Sequence, residues 1–263
     1  MTANATYYAQ WDCDADGYAE PACTIFGQKY TSTSFTYPWC NTPDQVVCTC
    51  IGKAQTWSMC NVGSNTAGMT SASYGYMYQW WRNLPFQPTG GVTTIPWPLP
   101  LAAANATSSF ITNSIAPQYE WLSISDNNLW WGSGTTASSG TYLSATAWNQ
   151  SLMKWPCANG YHVPTAKEAC DMINAINGTY VCGAANPYAG AFLKSPPAGL
   201  RGEDWLIYGQ LGQTDPRSYF WLSSPSTTFL WGLSWAGNYR YDVLSFGWNI
   251  RRVWGVSVRC LKN

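Results

Sequence analysis

Charge is scarce in this chain. Of its 263 residues, 13 are Lys or Arg and 13 are Asp or Glu, so charged side chains make up 10% of the sequence and the formal net charge is zero. An average soluble domain carries about 25%. Without a basic excess the chain has no footprint for displacing counter-ions from phosphates, which argues against nucleic-acid binding. Neither an acidic tail nor a basic arm is present. Histidine is scarcer still. His162 stands alone, which leaves little support for a His-based metal site or a Ser-His-Asp triad. Long apolar runs are missing as well. The longest, around Leu99 to Ala104, is far short of the ~20 residues that span a bilayer, and no signal peptide is visible.

Aromatic surface and sulfur dominate instead. Aromatic residues reach 16% of the chain, with 17 Trp and 17 Tyr, too much apolar surface for a chain to stay disordered. The length fits one large domain or two modules. The ten cysteines are Cys13, Cys23, Cys40, Cys48, Cys50, Cys60, Cys157, Cys170, Cys182 and Cys260. Zinc sites show C-x2-C pairs or histidine partners. The only close pair here is Cys48-Thr49-Cys50, so zinc is unsupported. An even cysteine count in a polar chain reads as disulfides formed in an oxidising compartment, extracellular or at the cell surface. An exported protein needs a leader or anchor, so Met1-Thr2 reads as a boundary from which one has been removed. Six cysteines precede residue 61 and four follow residue 156. Each group can close its own bridges, and the connectivity stays open.

Residues 1–66 read as a small cysteine-rich module ending in a polar, flexible stretch, Val62-Gly63-Ser64-Asn65-Thr66. Residues 70–263 read as a second domain. There, Thr165-Ala166-Lys167-Glu168 has the capping-box pattern, in which a hydroxyl and a carboxylate satisfy two orphan backbone donors. Met172, Ile173 and Ile176 follow at helical spacing and Asn177-Gly178 supplies the stop, so a helix is predicted. Phe229–Trp235, Tyr239–Phe246 and Val253–Leu261 are β-branched or aromatic runs punctuated by glycine, which predicts antiparallel strands. Residues 87–160, rich in Pro, Ser, Thr, Gly and Asn, read as long ordered loops pinned by aromatics. The fold class expected is α+β.

Several fragments carry a resemblance. They are Tyr74-Gly75-Tyr76, Tyr78-Gln79-Trp80-Trp81-Arg82-Asn83-Leu84-Pro85-Phe86, Cys157-Ala158-Asn159-Gly160-Tyr161-His162-Val163-Pro164-Thr165, Trp221-Leu222-Ser223-Ser224-Pro225 and Gly255-Val256-Ser257-Val258-Arg259-Cys260. In order and spacing, over roughly 74–261, they resemble the Fibrobacter major paralogous domain, a branch of the C-type lectin-like fold close to formylglycine-generating enzymes. The resemblance implies a C-type lectin-like domain with long ordered loops. It places His162 before the helix as a packing residue and gives Cys260 a disulfide partner. The pairing expected is Cys157–Cys260, with Cys170–Cys182 closing a short loop.

The chain further resembles the variable proteins of diversity-generating retroelements, whose C-terminal segment is rewritten at adenines of a template, largely at codons able to become NNY. Such codons cannot encode Lys, Glu, Gln, Met or Trp. From Thr214 to Leu261 the sequence holds no Lys, Glu, Gln or Met, although depletion of Glu and Lys in strands explains part of this. The tryptophans at 221, 231, 235, 248 and 254 would then be mostly fixed scaffold. The positions for rewriting, and hence for ligand binding, would be Tyr219, Leu222, Leu230, Asn238, Tyr239, Tyr241, Asp242, Phe246, Asn249, Arg251 and Arg252. Tyr and Arg offer much contact area with few rotors, which suits a binding face. Alternate aromatics usually point inward, however. The two readings combine if tryptophans face mostly in and tyrosines and arginines mostly out.

Asp12-Cys13-Asp14-Ala15-Asp16-Gly17-Tyr18 fits the first half of an oxygen-ligand calcium loop, with Asp12, Asp14, Asp16, Tyr18 and Glu20 as candidate ligands for a structural Ca2+. Its twelfth position is Cys23 instead of Glu, and the alternative is a solvated acidic turn tied by Cys13. Together these features predict an exported, non-enzymatic, receptor- or adhesin-like protein whose hypervariable face, about 214–261, meets a protein or glycan ligand on another cell or surface. The rivals are a formylglycine-generating-type enzyme, a calcium-independent glycan-binding module and a purely structural surface component. The first needs a reactive cysteine pair near the C-terminus, where only Cys260 stands. Calcium-dependent sugar recognition is unsupported, because Trp248-Asn249 is followed by Ile250 and Gln87-Pro88 by Thr89.

Overall fold

The computed structural model describes residues 30–49, 54–80, 82, 84–96, 103, 107–112, 156–177, 192–202, 206–210, 217–223 and 253–263. In chain order their regular elements are β1 (Tyr30–Thr36), β2 (Pro43–Cys48), β3 (Ala54–Trp57), a 3-10 turn (Ser71–Ser73), β4 (Met77–Tyr78), β5 (Thr94–Pro96), β6 (Phe110–Thr112), β7 (Tyr161–His162), α1 (Ala166–Asn177), β8 (Ala198–Arg201), β9 (Ile207–Gln210), β10 (Val256–Ser257) and β11 (Leu261–Lys262). The architecture is mixed, one helix of three turns among several small sheets.

The largest sheet has the order β1-β2-β3-β11-β7 and is antiparallel throughout. Leu261 in β11 pairs with Trp57 on one side and His162 on the other, so the C-terminal strand is the zip between two distant parts of the chain. Three two-stranded pairs accompany it: β4 with β10, β8 with β9, and the parallel pair β5 with β6. The last lies within the stretch read as loops. Of the expected C-terminal strands, Val253–Leu261 holds β10 and the start of β11, while 229–235 and 239–246 lie outside the described residues.

The helix forms where the sequence predicts it. The Thr165 N–H donates to Glu168 Oε2 at 2.8 Å and the Glu168 N–H to Thr165 Oγ1 at 3.1 Å, closing the capping box from both sides. Ala169, Met172, Ile173 and Ile176 repeat at i, i+3, i+4 and i+7 and are all buried, packing with Val47, Trp57 and Leu261 of the large sheet. Each aliphatic side chain removed from water in this way contributes about 1.5–3 kcal/mol. Lys167 Nζ lies 2.7 Å from Oδ2 of Asp171, a buried carboxylate.

A second core gathers Trp80, Trp221, Tyr78, Val256 and Val258 with both disulfides that join described cysteines, Cys40–Cys60 and Cys157–Cys260. The second bond is the expected one. Cys170 is also disulfide-bonded, and Cys182 lies outside the described residues. Residues 30–62 share this sheet and this core with residues beyond 74.

Val62–Thr66, read as a flexible connector, is a packed turn. The Val62 N–H donates to the Val258 carbonyl, Ser64 Oγ donates to the Thr66 and Ala72 carbonyls, and Gly63 takes a φ of 86° with its α-carbon against the Tyr76 ring. The Ser64 and Thr66 hydroxyls tie the turn to itself and to Ala72 and Ser73, where the sequence alone reads solvation.

Candidate functional site

The run Ser218–Ser223 is buried at every position. Successive residues of an extended segment point to opposite faces, and here both faces are covered. Tyr219 and Trp221 enter the core that holds the disulfides; Phe220 and Leu222 enter the one beneath the helix. Tyr219 and Leu222, read as members of an outward face, are therefore only 5% and 2% exposed and belong to the interior. Leu230, Asn238, Tyr239, Tyr241, Asp242, Phe246, Asn249, Arg251 and Arg252 lie outside the described residues. So do Asp12, Asp14, Asp16, Tyr18 and Glu20. Among the described residues no cluster of His, Cys, Asp or Glu could hold a metal ion, and no helix is long and apolar enough to cross a membrane.

The structure does fix both ends of the stretch 224–252. On the near side, the Trp221 N–H donates to the Ser257 carbonyl at 3.0 Å, its indole N–H to the Tyr78 carbonyl at 2.6 Å, and the Ser223 N–H to the Pro164 carbonyl at 2.8 Å. The Trp80 and Trp221 rings meet edge to face at 5.3 Å, a geometry that satisfies the aromatic quadrupoles. On the far side, Val253 is fully buried and its carbonyl accepts a 2.5 Å bond from Gln79 Nε2. Gly255 exchanges both backbone hydrogen bonds with Arg201 at 2.8 Å, and Phe220 bridges Ser257 in parallel. The two stems therefore lie side by side. Because Phe220 and Ser257 run parallel, the entry at Ser223 and the exit at Val253 lie at opposite ends of that contact, each anchored separately.

Gln79 is the polar hub of this clamp. Its Nε2 also donates to the Ile111 carbonyl at 2.8 Å, while its Oε1 accepts from the Ile111 N–H at 3.1 Å and from Arg82 Nη1 at 2.5 Å. Arg82 further donates to the Ser109 and Thr107 carbonyls, and burial lowers its pKa to about 10. Arg259 is built in the same way. It donates to Asn61 Oδ1 and to the Ser58 and Leu193 carbonyls, and its guanidinium lies 5.4 Å from the centre of the Phe220 ring. Burial pulls its pKa down to about 9, opposed by the charge of Asp44, so it stays a cation at neutral pH. Arginines used as internal hydrogen-bond struts keep neighbouring loop carbonyls satisfied away from water.

Two titratable groups tie β7 to its surroundings. Tyr161 donates to Asp44 Oδ2 at 2.6 Å. Burial raises the Asp44 pKa to about 6, against the opposing pull of Tyr161, the Tyr37 backbone, Lys262 and Arg259. His162 reaches Asn263 Oδ1 at 2.7 Å and both Glu168 carboxylate oxygens at 3.1 Å. Burial works against its charge, but the Glu168 carboxylate and the Asn263 oxygen outweigh it and hold the imidazole pKa above the usual value. Burial likewise works against the Glu168 charge, and His162 with the Thr165 donors outweighs it, so that carboxyl sits below its ordinary range. His162 is thus a capping and sheet-edge residue. The sulfur of Cys260, which an oxidase reading needs as a thiol, is bonded to Cys157.

Sequence reasoning missed Gln79, Arg82, Arg259 and Asp44. Two of these stand in the fragment Tyr78–Phe86, where an amide and a guanidinium among aromatics signal buried polar struts. Comparison of the chain with protein-family models, curated proteins and solved structures finds no match.

Proposed function

We propose that this is an exported ligand-binding protein, receptor- or adhesin-like, which presents its C-terminal segment on a C-type lectin-like scaffold as a face able to vary. The observation that carries the reading is the clamp at the two ends of 224–252, where Trp221, Ser223, Val253 and Gly255 are hydrogen-bonded to Tyr78, Ser257, Pro164, Gln79 and Arg201. A segment anchored at both stems can change its outward side chains at little folding cost, since surface substitutions usually stay within about 0.5 kcal/mol. The disulfides support export, because such bonds form and persist in oxidising compartments, and the bonded state of Cys260 supports binding over oxidase chemistry. The absence of Lys, Glu, Gln and Met from 214–261 supports rewriting at NNY codons. The variable positions in this reading are Leu230, Asn238, Tyr239, Tyr241, Asp242, Phe246, Asn249, Arg251 and Arg252; Tyr219 and Leu222 serve the scaffold.

Sequencing of the coding locus tests the proposal. A near-identical copy of the stretch encoding 214–261, differing at adenines and lying beside a reverse transcriptase gene, is the result expected. A locus without such a copy contradicts diversification. A folded 214–261 face that binds no protein or glycan when screened against cell-surface extracts contradicts the ligand-binding role.

A further inference from the structure

Trp39 is half exposed, at 50% of its surface, although 17 tryptophans give this chain ample means of hiding such rings. Its backbone is immobilised from several sides. Tyr37 behind it is buried, meets the Trp39 ring edge to face at 5.5 Å and the Tyr161 ring at 4.9 Å, and accepts a 2.8 Å bond from the Ala158 N–H on its hydroxyl. The Cys40 N–H turns back to the Tyr37 carbonyl at 2.7 Å, and Cys40 is bonded to Cys60. Asn41 and Thr42 in turn hold the loop 65–67, through Asn41 N–H to the Asn65 carbonyl and Ala67 N–H to Thr42 Oγ1. The ring is therefore presented to solvent by a rigid turn, with little conformational entropy left to lose on contact.

The described surface around it is mainly amide and hydroxyl. The described stretches that bond to this turn, 60–67 and 156–161, contain no Asp, Glu, Lys or Arg, and Asp44 behind it is fully buried against Tyr161, which pairs with Lys262 across the sheet. Asn41 in the turn and Asn65 and Asn159 on these stretches are exposed. A fixed aromatic face ringed by amides and hydroxyls matches one class of ligand well. The C–H bonds on one side of a pyranose ring meet the negative π face, and the sugar hydroxyls exchange hydrogen bonds with neutral amides.

We infer that Trp39 is the stacking platform of a binding site for neutral glycan chains, separate from the C-terminal segment and independent of the role proposed for it. Calorimetric titration of the full chain with cellohexaose, mannohexaose, maltohexaose and chitohexaose tests this. At least one hexaose binds, Trp39→Ala weakens it about tenfold or more, and Trp39→Phe retains part of the affinity. Tyr239→Ala combined with Tyr241→Ala leaves it unchanged. Raising the salt from about 0.05 to 0.5 M leaves the wild-type affinity unchanged too, because no exposed ion pair is screened. Failure of all four sugars to bind overturns the inference, as does a folded Trp39→Ala variant that binds within twofold of wild type. Loss of binding only in the Tyr239/Tyr241 variant moves the site to the C-terminal segment and overturns it as well.

Discussion

Replacing Gln79 by leucine removes the hub of the clamp while nearly preserving side-chain volume. Four hydrogen bonds disappear: two donated to the Ile111 and Val253 carbonyls and two accepted from Ile111 N–H and Arg82 Nη1. Arg82 keeps its bonds to Ser109 and Thr107, but three backbone groups in a fully buried setting lose the Gln79 partner. Each such group costs about 1–3 kcal/mol. With partial relaxation the sum is roughly 3–6 kcal/mol, a large fraction of the ~5–15 kcal/mol by which domains are stable. In a chain of this size that lowers Tm by about 6–12 °C. Urea unfolding under non-reducing conditions, followed by tryptophan fluorescence, should show a lower midpoint with an unchanged m-value. Amide exchange at Trp221, whose N–H is bonded to Ser257 beside the Val253 stem, should accelerate more than at Met172 inside the helix. A cost below about 1 kcal/mol would show that Gln79 is no strut and would refute the reasoning.

Asp44 makes stability depend on pH with a definite sign. Its folded pKa of about 6 lies above the ordinary 3.8, so the stabilisation is complete below pH 4 and is lost as pH rises through 6. At about 1.36 kcal/mol per pH unit this amounts to roughly 3 kcal/mol. Asp44→Asn, which keeps an oxygen for Tyr161 to donate to, should flatten that part of the stability profile; an unchanged slope would assign it elsewhere. The Cys157–Cys260 bond spans a sequence separation of 103 residues, for which chain entropy gives about 4–5 kcal/mol. Removing both cysteines as Cys157→Ala with Cys260→Ala should lower Tm by about 10 °C or more, and a shift of only a degree or two would mean that β11 is held by pairing alone.

Much of the frame was legible because its signals are local. Thr165 and Glu168 close a capping box that needs only three residues of spacing, and the apolar stripe from Ala169 to Ile176 has a single periodicity. The even cysteine count pointed to disulfides, and Cys157–Cys260 was the pairing expected within the C-terminal group of four. What escaped depends on tertiary context. Whether Tyr219 and Leu222 face in or out is decided by a second layer covering Ser218–Ser223, and no period in the sequence reports that layer. The turn at Val62–Thr66 looks like a connector because Gly63, Asn65 and Thr66 are exposed, while the bonds that fix it reach Ala72, Ser73 and Val258 elsewhere in the chain. Burial of Arg82, Arg201 and Arg259 in a chain so poor in charge reverses the usual placement of arginine; it follows from loop carbonyls that only a long, forked donor can reach. The pairing of β3 with β11 joins residues about 200 apart in sequence, a separation at which hydrophobic pattern carries no register.

The central claim is that a tryptophan-packed, disulfide-bonded core holds 224–252 by its ends, leaving the side chains between free to change. A displayed library tests it most directly, with Leu230, Asn238, Tyr239, Tyr241, Asp242, Phe246, Asn249, Arg251 and Arg252 randomised together and thermal unfolding measured for members drawn without selection. The account predicts that most members fold, with Tm within a few degrees of the parent, and that a parallel library at Trp221, Ser223 and Val253 collapses. General unfolding in the first library would contradict it.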